Sequence, residues 1–427
     1  MRAKPYSEYN DSGIDWCPLI PSNWGISTVK RFAKFTTGWT PPSGNADYYG
    51  DDFYWANISD IGPKILIDTA KSVSKLAIDT FNIESSKPGD LLFSFKLSIG
   101  QVSLVGGEMY TNEAIATFKL SSEYDIKWAF YAFPVFIPKN AEDNIYGAPL
   151  LNQERIKNAK IFLPSPEDQK QIARFLDHET AKIDELILKQ EDLIKTLNDR
   201  RVALIYEKTI LGLNSSAKFI KANIQWINQI PAHWKILPLL AIAEENLQIN
   251  KNLRENNLLS LSYGRIIRKD INSNKGLLPK SFETYQVVDK NFVVFRLTDL
   301  QNDKKSLRSA IVRERGIITS AYVAVMPNKI NPEYFNYLMR AYDLTKVFYS
   351  MGGGLRQSIK FSDLKRLPVL IPPMVEQLKI VENLNHELSM QDNLIDKANQ
   401  AIQLQKEHRE TLIFEVITGK INIKKLA

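Results

Sequence analysis

Residues 14–24 are IDWCPLIPSNW, and residues 224–234 are IQWINQIPAHW. Five positions keep both residue type and spacing, because Ile14, Trp16, Ile20, Pro21 and Trp24 recur at a constant offset of 210. Two of the five are tryptophan, of which the 427-residue chain has only 7, so chance explains the match poorly. An internal repeat decides the architecture before any local feature does. The chain is therefore predicted to contain two units of about 210 residues.

A second repeat lies deeper in each half, at an offset of 208. It relates Pro164, Gln169 and Ile172 to Pro372, Gln377 and Ile380. The same offset continues through eight further pairs: Asp184 and Asp392, Leu186 and Leu394, Ile187 and Ile395, Ile194 and Ile402, Arg201 and Arg409, Leu204 and Leu412, Ile205 and Ile413, and Glu207 and Glu415. Each unit is thus predicted to have a globular part followed by a helical part.

The first helical part has clear start and stop signals. Ser165 is a favourable N-cap, Pro166 a favourable first helical residue, and no Gly or Pro follows until Gly212. Apolar residues recur in steps of four and three, which predicts a heptad seam with polar interruptions at Gln190 and Arg201. The seam residues are Ile183, Ile187, Ile194, Leu197 and Leu204.

The second helical part is predicted from near Pro373 to about Thr418, before Gly419. Each helix would have about 40–45 residues and a length of about 60–65 Å. Two such helices can bury each other's apolar stripe, which favours an antiparallel, pseudo-two-fold pair; packing of each helix on its own globular part is the alternative. The second stripe consists of Leu384, Leu388, Ile395, Ala398, Ile402 and Leu412, weakened by Gln391, Gln405 and Arg409.

The globular parts have the pattern of mixed strand and helix. Residues 91–95 are predicted to form a buried strand, and residues 293–297 take the comparable place in the second half. The alternating pattern of residues 316–326 predicts another strand pair. The fold class is therefore α+β, with two mixed α/β domains separated by two long antiparallel coiled-coil helices and an internal repeat. The predicted boundaries are 1–164, 165–212, 213–371 and 372–427. Between their shared edges the two globular sequences differ, which favours two distinct ligand sites on one repeated frame.

Composition restricts the class of protein. The hydrophobic fraction is 44% and the net charge is +7, which fits a nucleic-acid partner but also a merely basic soluble protein. The single cysteine, Cys17, allows no disulfide within the chain. Residues 1–12 lack the apolar core of a signal peptide, and no apolar run is long enough to span a membrane. A cytoplasmic protein is expected.

Motifs of self-sufficient enzymes are missing from the sequence. It has no G-x-x-x-x-G-K-[ST] loop, no G-x-G-x-x-G, no C-x-x-C, no H-E-x-x-H and no [ND]-P-P-[YF] segment. We therefore expect no catalytic residue, no metal site and no cofactor in this chain. The glycine cluster at residues 352–354 is interpreted as a turn that could bring Arg356 and Gln357 near DNA.

The repeated segments resemble the specificity (S) subunit of type I restriction-modification systems. The resemblance covers nearly the whole chain, and its motifs are specific through their duplicated order. It depends on residues 20–24 and 230–234 (IPSNW and IPAHW), 163–169 and 371–377 (LPSPEDQ and IPPMVEQ), and 37–41 (TGWTP) with Tyr48, Tyr49, Gly50 and Trp55.

The resemblance implies that each globular part is a target recognition domain for one half of a split DNA sequence. The helices would fix the spacing between the half-sites and dock two modification (methyltransferase) subunits, which bind S-adenosylmethionine and methylate adenine. Restriction subunits, driven by ATP with Mg²⁺, would complete the complex. The implied partners are double-stranded DNA and these subunits, without a membrane.

Candidate DNA-contacting residues are those with donors and acceptors suited to phosphates and base edges. In the second domain they are Tyr263, Arg265, Arg268, Arg296, Thr298, Gln301, Asn302, Lys305 and Arg308, besides Arg356 and Gln357. In the first domain they are Thr37, Trp39, Thr40, Asn57, Ser59, Lys96, Ser98 and Gln101. The alternative for the second domain is that Thr298 caps a helix and the lysines are solvated. The alternative for the first domain is that Trp39 and Trp55 pack against other side chains and do not contact DNA.

Two other functions compete with DNA recognition. A coiled-coil adaptor would explain the helices but not two basic, divergent globular parts. An unrecognised enzyme with catalytic residues from both halves is disfavoured, because histidine is scarce and the known motifs are missing.

Overall fold

A computed structural model describes residues 5–143, 149–271, 281–300, 307–351 and 359–425. The chain divides into two compact units. The first combines Met1–Lys189 with Ala401–Ala427, and the second is Gln190–Gln400. The C-terminal segment is therefore part of the first unit, although the sequence places it after the second globular part.

The first unit contains short strands and one long helix. Its strands are β1 (Tyr9–Asp11), β2 (Leu19–Pro21), β3 (Gly25–Thr28), β4 (Phe35–Thr37), β5 (Tyr49–Ala56), β6 (Ile65–Leu66), β7 (Ser72–Val73), β8 (Leu91–Ser94), β9 (Val102–Val105), β10 (Tyr110–Thr111), β11 (Ile115–Phe118), β12 (Glu142–Asp143), β13 (Pro149–Leu150) and β14 (Lys160–Leu163). Its helices are α1 (Val29–Phe32), α2 (Lys75–Phe81), α3 (Ile126–Phe136), α4 (Gln153–Asn158) and the start of α5 (Pro166–Tyr206).

The second unit has a similar succession of elements. Its strands are β15 (Phe219–Ile224), β16 (Ile227–Pro231), β17 (Lys235–Pro238), β18 (Ala243–Glu245), β19 (Leu259–Ser262), β20 (Arg265–Arg268), β21 (Gln286–Val288), β22 (Val293–Phe295), β23 (Ser309–Ile311), β24 (Gly316–Ile318), β25 (Val323–Pro327) and β26 (Pro368–Ile371). Its helices are α6 (Pro332–Leu344), α7 (Val347–Met351), α8 (Phe361–Leu364) and most of α9 (Met374–Ile417).

The central sheets of the two units share the order of four strands, and the first sheet has β6 as a fifth. In the first unit the order is β4-β11-β8-β9-β6, and in the second it is β18-β25-β22-β23. The strands β4, β11, β8 and β9 pair antiparallel, as do their counterparts β18, β25, β22 and β23. The repeat thus extends through the globular parts, where the two sequences look dissimilar.

The two long helices run antiparallel in each unit. In the first unit Asp184 of α5 pairs with Arg409 of α9 at 3.1 Å, and in the second Arg201 pairs with Asp392 at 2.5 Å. Asp184 is the repeat equivalent of Asp392, and Arg201 is that of Arg409. The same ion pair therefore forms in both units, with the roles of the two helices exchanged. The predicted seam residues are all buried or half-buried, including Ile183, Ile187, Ile194, Leu197, Leu204, Leu388, Ile395, Ile402 and Leu412. The predicted antiparallel pair of long helices is confirmed, and the burial of these residues is consistent with the predicted seam.

The glutamine near the start of each long helix ties that helix to the globular part. The Oε1 atom of Gln169 accepts a hydrogen bond from the Asp125 backbone N–H at 2.8 Å, and its Nε2 donates to the Pro164 carbonyl at 3.0 Å. Gln377 makes the same two bonds, with the Asn331 N–H and the Pro372 carbonyl, both at 2.8 Å. Asp125 and Asn331 are the N-caps of α3 and α6, so one buried amide fixes two helix starts in each unit.

The Ile-Pro-x-x-Trp segments pack against the ends of the long helices. A Cβ added to Gly419 would lie 3.2 Å from the indole of Trp24, and a Cβ added to Gly212 would lie 3.0 Å from that of Trp234. The Tyr9 hydroxyl also donates to the Gly419 carbonyl at 2.9 Å. The C-terminal end of α9 therefore packs against the Ile-Pro-x-x-Trp segment of the first unit, just as the C-terminal end of α5 packs against that of the second unit.

Each unit has its own principal hydrophobic core. In the second unit the core joins residues 204–388, around α6 and the first half of α9. In the first it joins residues 14–176 with Val416, Ile417 and Ile421 from the end of the chain. No helix among the described residues is long and apolar enough to cross a membrane.

Candidate nucleic-acid interface

Three separate loops of the first unit meet around residues 111–115. The Trp39 N–H donates to the Thr111 carbonyl at 2.8 Å, and the Phe95 N–H donates to the Ala114 carbonyl at 3.0 Å. The Asn112 N–H donates to the Ala56 carbonyl at 3.0 Å. The loops after β4, β5 and β8 are thereby brought to one edge. This edge holds the candidate residues Thr37, Trp39, Thr40, Asn57, Ser59, Lys96, Ser98 and Gln101.

Two of the aromatic residues at this edge hold the loops in place. Trp39 stacks on Phe81, with ring centroids 3.9 Å apart and an interplanar angle of 30°. Trp55 is buried, and its indole N–H donates to the Trp39 carbonyl at 3.0 Å. Gly38 lies so close to β10 that a Cβ there would be 1.8 Å from the Thr111 carbonyl oxygen. The Thr-Gly-Trp segment therefore serves packing, and one face of the Trp39 ring is already occupied.

The exposed candidates at this edge are Thr40, Ser59, Lys96, Ser98 and Gln101. Thr37 and Asn57 are half-buried, and the Thr37 hydroxyl accepts from the Gln153 amide at 3.0 Å. The exposed set combines a cation for phosphates with an amide and hydroxyls for base edges. This edge is chemically suited to DNA.

Glu113 lies among these residues, and the sequence reasoning missed it. Its carboxylate accepts a hydrogen bond from the Thr40 hydroxyl, which lowers the pKa of the carboxyl, and Lys96 adds to the effect. The carboxyl is thus held in its charged, accepting form. Carboxylates at a DNA surface can accept from the amino group of cytosine. No local sequence signal marks Glu113, because its position follows from the pairing of β10 and β11 with other strands.

Leu97 is a second residue that the sequence reasoning missed. It lies in the loop between β8 and β9, is 92% exposed and has a φ of 59°. An apolar side chain held out of the protein between Lys96 and Ser98 can contact a thymine methyl group.

In the second unit the strands β19 and β20 form a hairpin with Tyr263 and Gly264 at its turn. Both residues have positive φ, 46° and 74°, as a two-residue hairpin turn of type I′ requires. Tyr263 is 79% exposed at the tip, and Arg265 beside it is also exposed. Arg268, at the far end of the hairpin, is held by the Glu314 carboxylate, with its Nε 2.7 and 2.9 Å from the two oxygens. The hydrogen bonds from Arg268 hold the pKa of the Glu314 carboxyl below its usual range.

Arg308 is buried, contrary to its expected role at the DNA surface. Its exposed fraction is 0%, its Nη1 donates to the Thr298 carbonyl at 3.2 Å, and its Nε donates to the Tyr349 hydroxyl at 3.3 Å. Its backbone N–H donates to the Asp343 carboxylate, whose pKa is raised because the group is buried. The guanidinium thus closes the root of the loop that follows β22, and we correct its assignment from DNA contact to structural anchor.

The remaining candidates of the second unit divide into two groups. Arg296 and Thr298 are half-buried at the root of the same loop. Gln301, Asn302, Lys305, Arg356 and Gln357 lie outside the described residues. Among the described residues no group of three or more His, Cys, Asp or Glu side chains could hold a metal ion.

The chain is similar to known proteins along most of its length. The model of the type I restriction modification DNA specificity domain matches residues 21–196. The chain is 21% identical over 446 residues to the type I restriction enzyme MjaIX specificity subunit of Methanocaldococcus jannaschii, and the match covers 95% of both chains. Residues 21–196 therefore match the type I DNA specificity domain, and the chain as a whole resembles type I specificity subunits. A second relative, the putative MjaX specificity subunit of the same organism, is 24% identical over 282 residues, which are 64% of this chain and 62% of the relative.

Solved structures show a similar fold. A chain from work on complex assembly and conformational transition of the type I R-M system has a TM-score of 0.67 at 13% identity, and the match covers 94% of this chain and 99% of that one. The HsdS subunit from Thermoanaerobacter tengcongensis has a TM-score of 0.50 at 13% identity, with 94% and 98% covered. At this level of identity the likeness concerns the fold alone.

Proposed function

We propose that the chain recognises a split DNA sequence, with one unit for each half, inside a type I restriction-modification complex. The observation that carries this is the repeated sheet with dissimilar loops in the same place. Residues 95–101 separate β8 from β9, whereas the longer and dissimilar sequence 296–308 separates β22 from β23. A repeated frame with different side chains at its binding edge suits two different half-sites.

The domain assignment follows from this function. Residues 1–164 and 213–371 are the two target recognition domains, residues 165–212 are the central helix, and residues 372–427 are the distal helix with the C-terminal tail. A specificity subunit is non-catalytic in itself. The adaptor alternative is not favoured, because it does not explain the similarity to type I specificity subunits.

The long helices would dock two modification subunits and fix the distance between the half-sites. Leu186 of α5 and Leu394 of α9 support this assignment. The two leucines are repeat equivalents, and they are 45% and 49% exposed on their helices. Equivalent apolar positions suit two copies of one partner. The modification subunits would bind S-adenosylmethionine and methylate adenine at N6, and restriction subunits would supply ATP- and Mg²⁺-dependent translocation and cleavage.

Methylation mapping of a genome tests the proposal. The chain is co-expressed with the modification subunit encoded beside it, and N6-methyladenine is mapped across the host genome. We expect methylation within one two-part motif whose halves are separated by a fixed spacer. Methylation that follows a single continuous motif, or none above that of cells with the modification subunit alone, would contradict the proposed function.

A further inference from the structure

A basic cleft of about 560 Å³ lies wholly within the second unit. Its walls are the β19–β20 hairpin, α6 and the parts of α5 and α9 that belong to this unit. Each wall except α9 contributes an arginine: Arg265 from the hairpin, Arg340 from α6 and Arg201 from α5. The cleft therefore joins an exposed, DNA-suited hairpin to the helical frame of the repeat.

Arg340 is a half-buried cation of this cleft. Its Nη2 donates to the Gly264 carbonyl at 2.8 Å and to the Ser309 carbonyl at 2.7 Å. Its Nε is buried and has no hydrogen-bond partner among the described residues. Buried donors in proteins are nearly always paired, so an unpaired guanidinium N–H in a cleft indicates an acceptor that binds there.

The charges in the cleft are only partly balanced. Arg201 is paired with Asp392, and Arg313, which also lines the cleft, is paired with Glu333. Arg265 makes no hydrogen bond or ion pair with a described residue. Burial lowers the pKa of the Arg340 guanidinium most, Asp343 and Tyr337 raise it, and the nearby charges of Arg201 and Arg265 lower it. Arginines that repel each other in this way suit a shared oxyanion.

We propose that this cleft binds a phosphate group of the DNA backbone between Arg265 and Arg340. The inference rests on the proposed function and names a contact within it. Tyr263, at the turn of the same hairpin, lies beside the cleft and is free to approach the sugar or base next to that phosphate. Phosphate contacts fix the register of a protein on DNA without carrying sequence information. The cleft would thus position the hairpin, while other side chains discriminate bases.

The salt dependence of DNA binding by the complex with its modification subunit tests the cleft. In Arg265→Ala we expect the slope of log Kobs against log salt to fall in magnitude by about one, since one phosphate contact is lost. Base preference should be unchanged. Arg340→Lys keeps a charge but lacks the Nε donor, so its affinity should fall with little change in slope. Arg254→Ala is the matched control, because it removes an exposed arginine of the same unit outside the cleft.

Different results would contradict phosphate binding by the cleft and the proposed function of the chain. A selective wild-type complex, with Arg265→Ala equal to it in both slope and affinity, would overturn the cleft alone. A wild-type complex without preference for a split sequence would overturn the proposed function, and the cleft with it. Inorganic phosphate that raises the melting temperature of wild type but not of Arg265→Ala, with unchanged DNA slopes, would assign the cleft to a free anion and overturn the DNA assignment.

Discussion

Arg308 and Arg268 belong to the same unit but differ in burial, and therefore in how much each contributes to stability. Arg308 is fully buried with partners on Thr298 and Tyr349, whereas Arg268 is exposed and held by Glu314. We expect Arg308→Ala to lower the free energy of unfolding by about 2–4 kcal/mol, because it leaves a cavity and unpaired acceptors. Urea denaturation of the purified chain measures this loss. Arg268→Ala is the control and should leave the midpoint nearly unchanged.

The contrary result for Arg308 is equally clear. If Arg308→Ala unfolds at the same urea concentration as wild type but binds DNA more weakly, the guanidinium belongs to the DNA surface after all. The sequence could not distinguish these roles. Both arginines stand next to polar, basic stretches, and only strand pairing and the packing of α6 decide which one is enclosed.

Gly38 is another single residue whose substitution should have a clear effect, because one added methyl group would clash with a backbone atom. A Cβ there would lie 1.8 Å from the Thr111 carbonyl oxygen, whereas a Cβ at Gly44 would have no atom within 4 Å. We expect Gly38→Ala to displace the loop after β4 and cost about 1–3 kcal/mol of stability. Gly44→Ala should be close to wild type in thermal denaturation. Equal melting temperatures for the two variants would mean that the loop yields without strain.

At the scale of elements, helix ends were predictable and sheet topology was not. The predicted starts and stops of α5 and α9 agree with the structure, because Ser165, Pro166, Gly212 and Gly419 are local signals. The strands of the central sheets have only two to five residues, and their partners are distant in sequence. Their order therefore depends on tertiary packing. The edge that gathers the first-unit candidates could not be predicted for the same reason.

The C-terminal end of α5 shows how an element absorbs a one-residue difference between the repeats. From Glu207 to Gly212 there is one residue more than from Glu415 to Gly419, and Lys208 has no counterpart. The structure has a π-helical turn at Glu207–Leu211, which is the form that accommodates such an insertion. Residues on both sides keep their faces: Thr209 and Ile210 are buried like Val416 and Ile417.

Deletion of Lys208 should therefore be tolerated. The turn would become regular α-helix, as at the end of α9, and Gly212 would still meet Trp234. Deletion of Lys195 is the control, because it lies in regular helix, where losing one residue turns everything beyond it by about 100°. We expect the Lys208 deletion to leave the circular dichroism spectrum and DNA binding unchanged. The Lys195 deletion should change the spectrum and abolish DNA binding. A Lys208 deletion as damaging as that of Lys195 would show that the π-turn is needed in its own right.

At the scale of the whole molecule, the separate principal cores of the two units predict independent recognition of the two half-sites. The candidate residues Gln101 and Tyr263 are both exposed and belong to different units. Gln101→Ala should relax discrimination at one half of the split site, by about 1–3 kcal/mol if it contacts a base, and Tyr263→Ala should affect only the other half. In the double variant the two losses should add, since independent sites without shared partners are usually additive. Competition binding against DNA libraries with one half randomised at a time measures each term. Relaxation of both halves by either single substitution would mean that the units do not recognise DNA separately, although their cores are distinct.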